Sequence, residues 1–183
     1  MINDYEATKP ITTDAETFES TTTSNDNVIT TLNGLIETCK DGQNGFKEAA
    51  EGVEHADLKP LFYEFSQQRS QFVGELQGLV RELGGDPESS GSIAGALHRG
   101  WINIKSAVTG KDEAAILNEC ERGEDSAKKA YKEALEAALP TNVTATIQTQ
   151  FAAVQTAHDR IKALRDAANN EPTDKSKPAS TSY

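Results

Sequence analysis

Three ionisable side chains, those of Arg69, Glu124 and His158, interrupt otherwise apolar helical stripes and have the types needed for chemistry. A guanidinium pairs with a carboxylate and also binds small carboxylate ligands. An imidazole titrates near neutral pH and binds metals. Because an unpaired charge is costly to bury, we expect Arg69 to pair with Glu124 and His158 to join them in a polar layer. Gln43 and Gln68 lie close to this layer along their helices and would supply further hydrogen bonds.

A metal site is the alternative chemistry for the same region. Its candidate ligands are Glu124, His158, Glu121 and Glu75, whose carboxylates and imidazole suit iron or manganese. Di-iron carboxylate bundles use a Glu from each of two helices and a Glu-x-x-His pair from each of the other two. Gln155 stands where such a pair with His158 would need a Glu. The ligand set is therefore incomplete, and we expect no full di-iron centre, while a smaller metal site stays open.

Helices must position these side chains, because apolar residues recur at alternating spacings of three and four in four stretches. The predicted helices cover about residues 27–53, 58–83, 112–138 and 142–168. Arg69, Glu124 and His158 each lie near the middle of one helix. In antiparallel helices, residues at equal distances from the midpoints lie at similar depth. We therefore expect the three side chains to meet at mid-bundle.

The lengths of the connections predict the topology. Roughly four residues join helices 1 and 2, as they do helices 3 and 4, which is typical of antiparallel hairpins. Nearly thirty residues separate the two hairpins, and they include a short helix that Trp101 would anchor to the bundle. The fold class is thus predicted as all-α: a ferritin-like antiparallel four-helix bundle with a short helix in the long crossover between helices 2 and 3. An up-down bundle with a helical flap stays open.

Both ends of the chain are polar and lack a periodic apolar face. Residues 1–26 are acidic and rich in Thr, and residues 169–183 read NNEPTDKSKPASTSY. Such segments cannot bury enough apolar surface to offset the entropy lost on ordering. We therefore predict disordered tails at 1–26 and 169–183, on either side of a bundle at 27–168.

The net charge of −11 disfavours nucleic acid and anionic membrane surfaces as partners, since both would repel this chain. No apolar run approaches the roughly 20 residues that a membrane span needs, and the N-terminus does not resemble a secretory signal. A cytoplasmic location follows as the expectation. The two cysteines, Cys39 and Cys120, form no Cys-x-x-Cys motif and are predicted to be buried free thiols.

Several sequence blocks resemble a known family. They include LHRGW, CERGED and AHDRIKALRD, within a resemblance that covers roughly residues 27–168. The chain resembles an uncharacterised bacterial four-helix-bundle family, a domain of unknown function in the ferritin-like superfamily. The resemblance implies a ferritin-like fold and a bacterial protein; a stress-related role is often supposed for such bundles. Gln43 stands where many relatives are expected to carry an acidic residue, which further weakens a metal site.

The leading functional hypothesis is a non-enzymatic helical-bundle protein without a cofactor, whose polar layer is structural. Self-association into a homo-oligomer stays open. The first alternative is a carboxylate/His protein that binds iron or manganese for oxidase or storage chemistry. The second is a binder of a small carboxylate ligand through Arg69.

Overall fold

In a computed structural model, the backbone is described for residues 15–87, 101 and 103–170, and the side chains from residue 25 onwards. Every regular element in these ranges is an α-helix, which confirms the all-α class. The helices are α1 (Ala15–Gly52), α2 (Leu58–Glu82), α3 (Ile104–Thr109), α4 (Glu113–Leu135) and α5 (Thr141–Asn170). None of these described helices is both long enough and apolar enough to span a membrane.

The helix boundaries differ from the predicted ones mainly at the N-terminus. Helix α1 begins at Ala15, well before the predicted start near residue 27. The stretch 15–26 contains neither Gly nor Pro, so no residue in it breaks a helix. The rest of the predicted N-terminal tail, and the predicted C-terminal tail beyond Asn170, lie outside the described residues. Much of the predicted crossover helix, within 88–100, does so too, and α3 is the part that is described.

Two apolar clusters fill the interior and reveal the direction of each helix. The first cluster joins the early part of α1, the late parts of α2 and α4, and the early part of α5; its members include Val28, Leu32, Ile36, Leu76, Val80, Tyr131, Val143 and Ile147. The second joins the late part of α1, the early parts of α2 and α4, and the late part of α5; its members include Phe46, Val53, Leu58, Phe62, Ile116, Leu117, Ala157 and Ile161. Helices α1 and α5 therefore run one way, and α2 and α4 run the other.

This arrangement determines how the chain passes between the two hairpins. Helix α2 ends beside the first cluster and α4 begins beside the second, so these two helix ends lie at opposite ends of the core. Helix α1 packs on both α2 and α4, and α5 packs closely on α4 and more loosely on α2. The helices α2 and α4 are thus diagonal across the interior.

Glycines let the crossover approach the core closely. The Trp101 indole packs against Gly45 of α1 and Gly123 of α4, where an added Cβ would lie only 2.1 and 2.3 Å from its ring atoms. The indole also meets the Phe46 ring at a centroid distance of 5.0 Å. Trp101 is therefore held between two helices, in agreement with its predicted role as an anchor.

Candidate functional site

The candidate site lies where the two apolar clusters meet. In α2, Arg69 stands between Phe65 of the second cluster and Phe72 of the first; in α4, Glu124 stands between Cys120 and Ala127 in the same way. These spacings of three and four residues keep a polar side chain on the apolar stripe of its helix. Both side chains are 1% exposed. The helical periodicity thus places one positively and one negatively charged side chain in the interior.

Arg69 and Glu124 form a buried ion pair. The Nη2 atom of Arg69 lies 2.6 Å from Oε2 of Glu124, and its Nη1 atom donates to Oε1 of Gln68. The guanidinium carbon lies 5.9 Å from the ring centroid of Phe46 and 5.5 Å from that of Phe72, within range of cation–π attraction. Because α2 and α4 are diagonal, this pair connects them through the centre of the core.

The ion pair is incompletely hydrogen-bonded. Oε1 of Glu124 and Nε of Arg69 are buried and have no hydrogen-bond partner in the described part of the chain. Burial raises the pKa of the Glu124 carboxyl above its usual value, although the neighbouring Arg69 charge opposes this rise. The pair therefore carries a desolvation cost that its mutual attraction has to offset.

A second polar chain links all four long helices next to the first cluster. The Tyr131 hydroxyl donates to Oε1 of Gln150 at 2.8 Å, and Nε2 of Gln150 donates to Oε2 of Glu75 at 2.7 Å. The Cys39 sulfur lies 3.1 Å from the Tyr131 hydroxyl. Burial raises the pKa of the Cys39 thiol to about 11, and it raises the pKa of Tyr131 as well. Both groups are therefore neutral near pH 7, and every hydrogen-bond donor in this series of side chains is uncharged.

His158 is buried, but its hydrogen bonds lead away from the ion pair. Its Nε2 atom lies 3.0 Å from Oδ1 of Asp125, and its Nδ1 atom lies 3.0 Å from Oδ1 of Asp159. The Lys128 ammonium is 3.3 and 3.4 Å from the two ring nitrogens. The hydrogen bond from His158 lowers the pKa of Asp159. Of the three predicted members of the layer, the structure joins Arg69 to Glu124 and places His158 at the α4–α5 seam.

The other predicted residues separate into different surroundings. Gln68 contacts Arg69, whereas Gln43 takes part through its backbone carbonyl, which accepts from Ser66 at 2.9 Å. Glu121 forms an ion pair with Arg165, and its carboxylate lies within 4.8 Å of donor atoms on Asp125 and His158.

The four predicted metal ligands are thus divided among three places. Glu124 belongs to the ion pair, and Glu75 belongs to the Gln150 hydrogen-bond chain. Only Glu121 and His158 come together, joined by Asp125.

The central residues do not fit a di-iron centre. The Arg69 cation occupies the middle of the core, and its partner Glu124 is the carboxylate that a metal would need. Gln155, at the position of the required Glu, is exposed on α5. A fixed guanidinium beside a dication would be repelled strongly in this buried setting. The central carboxylate is therefore paired with the guanidinium of Arg69 and is not free to bind a metal.

Sequence reasoning missed Gln150, which is 1% exposed and central to the hydrogen-bond chain. Its signal was present in the spacing, because Gln150 follows Ile147 by three residues and precedes Val154 by four. The apolar Phe151 next to it fits the same periodicity, so the apolar stripe can be followed without including Gln150. Asp125 does belong to the acidic run Glu121-x-x-Glu124-Asp125, which indicates either a metal site or a charged helix edge. Lys128 lies off the apolar stripe and gives no such signal.

Comparison with known proteins gives a family but no activity. No curated protein matches the chain at a significant level. Residues 27–137 match a family described as a domain of unknown function, DUF2383, and this match covers well over half of the 183 residues. It includes α2, α3, α4 and the greater part of α1, and therefore both partners of the buried ion pair. The chain belongs to this DUF2383 family of unknown function.

Proposed function

We propose that this protein is a non-enzymatic four-helix bundle of ferritin-like topology, whose polar layer fixes the alignment of its helices. The observation that carries the proposal is the Arg69–Glu124 ion pair, with both side chains 1% exposed at the centre of the core. Ferritin-like metal proteins place their carboxylate ligands in the core of such a bundle. Here the corresponding region holds a protein cation with its own carboxylate.

The directions of the helices support the ferritin-like topology. Helices α1 and α5 run opposite to α2 and α4, and the long connection between α2 and α4 crosses from one end of the core to the other. A simple up-down bundle would have α4 begin at the end where α2 stops. The proposed topology instead has one long crossover between two antiparallel hairpins.

The contacts of the polar groups support an alignment role. The ion pair joins α2 to α4, and the chain from Cys39 through Tyr131 and Gln150 to Glu75 joins one residue of each long helix. A slip of any helix by one turn, about 5.4 Å, would leave buried polar atoms without partners. Such groups favour one packing over its alternatives more than they add to total stability.

Metal analysis of the purified full chain tests this proposal. We expect less than stoichiometric iron or manganese by elemental analysis, both as purified and after incubation with Fe(II) or Mn(II) followed by desalting. Stoichiometric metal that is lost in Glu124→Ala, but kept in the exposed α4 variant Glu133→Ala, would overturn it. Sedimentation analysis tests whether the chain self-associates, which the sequence leaves open. The cytoplasmic location and the stress-related setting stay predictions.

A second candidate is a divalent-cation site at the α4–α5 seam, favoured by one specific observation. Donor atoms of Glu121, Asp125 and His158 all lie within 4.8 Å of one another, and two carboxylates with an imidazole suit iron, manganese or zinc. Two protein cations compete for these groups, since Arg165 pairs with Glu121 and Lys128 lies beside His158. A metal would therefore have to displace both.

Thermal unfolding with added Mn(II), Fe(II) or Zn(II) distinguishes this candidate from the first. A bound ion would raise Tm in the wild type and in His55→Gln, a control at an exposed histidine, but not in His158→Gln. An unchanged Tm in the wild type would remove the candidate. The small-carboxylate alternative fares worse, because a ligand at Arg69 would have to replace Glu124 in a buried site.

A further inference from the structure

A groove lies between α2 and α5, the two neighbouring long helices that pack most loosely on each other. It has a volume of about 470 Å³. Its lining includes Glu75, Gly78 and Glu82 of α2 and Ala145, Thr146 and Thr149 of α5. Small residues create it, because a Cβ added at Gly78 would meet no atom within 4 Å. The groove is therefore an open space built into the helix pair.

The polar groups that line this groove are hydrogen-bond acceptors. Glu75 and Glu82 present carboxylates, and neither forms an ion pair within the described part of the chain. The hydroxyls of Thr146 and Thr149 donate to carbonyls four residues earlier in α5, at 3.2 and 3.0 Å, so their remaining lone pairs are acceptors. No Lys or Arg is among the lining residues. A ligand that matches this lining carries donors and positive charge.

One of the two carboxylates is held in place by the core. Nε2 of Gln150, a residue that is 1% exposed, donates to Oε2 of Glu75 at 2.7 Å. This hydrogen bond orients the carboxylate and leaves its second oxygen for a ligand. A preoriented acceptor binds an ammonium group with a smaller loss of side-chain entropy than a freely rotating one.

The spacing of the two glutamates along α2 selects the shape of the ligand. Glu75 and Glu82 are seven residues apart on α2, which is two turns or about 10.5 Å along the axis. Between them lie the backbone of Gly78 and the apolar groups of Leu79 and Ala145. A flexible methylene chain with an ammonium group at each end fits this sequence of charge, apolar surface and charge.

We infer that the α2–α5 groove binds a linear polyamine, with one terminal ammonium at Glu75 and the other at Glu82. Extended spermidine is long enough to bridge this separation with an ammonium group at each carboxylate. The charge of −11 attracts any polycation diffusely. Specific binding must therefore be separated from screening by variants of equal charge. The inference does not depend on the proposed role of the polar layer.

Titration calorimetry of the full chain with spermidine, at about 0.15 M salt, tests the inference, and a second groove supplies matched controls. The α1–α4 groove is lined by Gly34, which also has nothing within 4 Å of an added Cβ, and by Glu133. We expect Gly78→Leu to abolish binding and Glu82→Gln to weaken it about tenfold. The matched variants Gly34→Leu and Glu133→Gln should bind like the wild type.

The ligand series adds a second comparison. Octylamine should bind at least tenfold more weakly than spermidine, because its single ammonium group engages one carboxylate at a time. Equal spermidine binding by the wild type and all four variants would mean diffuse screening and would overturn the inference. The absence of saturable spermidine binding would also overturn the inference. So would the result that a lysine-rich peptide binds, that Gly78→Leu abolishes this binding, and that spermidine does not bind. Circular dichroism of each variant verifies that it is folded.

Discussion

Replacing Arg69 by Met should destabilise the protein far more than replacing both partners of the ion pair. The Arg69–Glu124 contact is 2.6 Å long and both side chains are 1% exposed. At about 4 Å between charge centres and an effective dielectric constant of about 20, the attraction amounts to about 4 kcal/mol. Without it, Glu124 is left as a buried charge or must bind a proton. The expected loss in unfolding free energy is about 3–5 kcal/mol.

The double variant Arg69→Met/Glu124→Leu removes both charges and fills their space with apolar atoms. Its expected loss is within about 1 kcal/mol of zero, and a gain in stability is also in keeping with the reasoning. Met keeps favourable contacts with the rings of Phe46 and Phe72. Adding Glu124→Leu should therefore restore most of the stability that Arg69→Met loses. Glu124→Leu on its own should be destabilising, because it breaks the same ion pair.

The loss in Arg69→Met should depend on pH. Burial already raises the pKa of Glu124 in the wild type, and removal of the Arg69 charge raises it further. A carboxyl whose folded-state pKa is raised stabilises the folded state below its unfolded pKa, and that contribution is lost as pH rises through the folded-state pKa. The difference between the variant and the wild type should thus be smallest near pH 4.5 and grow towards neutral pH.

Urea unfolding of the wild type, both single variants and the double variant, at several pH values between 4.5 and 8, measures these differences. The matched control is Lys129→Met, which removes a charge from an exposed pair with Glu133 on the same helix and should cost less than about 1 kcal/mol. Additive effects of the two single substitutions, or a loss in Arg69→Met that does not change with pH, would refute the reasoning.

Two further predictions concern the crossover and the buried thiol. Gly123→Ala should displace the Trp101 indole, since its Cβ would lie 2.3 Å from a ring atom; we expect a red-shifted emission from this single tryptophan and a loss of about 1–3 kcal/mol. Gly34→Ala, in the middle of α1 with open space around its Cβ, should leave the emission unchanged and cause no loss of stability. Because the pKa of Cys39 is raised from 9.0 to about 11, its contribution to stability should be lost as pH rises from 9 to 11. The stability difference between the wild type and Cys39→Ala should therefore shrink over that range in urea unfolding, and a constant difference would contradict the cause given.

The central ion pair could be predicted from sequence because it breaks a strong pattern. The apolar stripes of α2 and α4 are long enough to locate their midpoints, and a charge of each sign stands on them there. Burial then requires that the two charges meet, whatever the details of packing. The same reasoning predicted the all-α class, since that class follows from the helical periodicity.

His158 shows where this reasoning stops. The α5 stripe runs through Val154, Ala157 and Ile161, so His158 lies one position, or about 100°, beyond its centre. At the edge of a stripe, a side chain can turn inward or towards the neighbouring helix. The carboxylates of Asp125 and Asp159 decide between these directions, and their distance from His158 depends on how α4 and α5 pack. No property of a single helix contains that information.

The chain from Tyr131 to Glu75 extends the alignment argument to a second test. Tyr131→Phe removes the donor to Gln150 and leaves a buried amide oxygen without a partner, which should cost about 1–3 kcal/mol. Tyr131→Phe/Gln150→Leu removes both polar groups. Glu75 then loses its hydrogen bond from Gln150 but stays in contact with solvent. The double variant should therefore lose less unfolding free energy than the two single variants added together. Tyr63→Phe, at a Tyr that is 38% exposed, is the control and should be neutral. If urea unfolding gives a coupling below about 0.5 kcal/mol between Tyr131 and Gln150, this chain does not help to align the four helices, and that role falls to the ion pair alone.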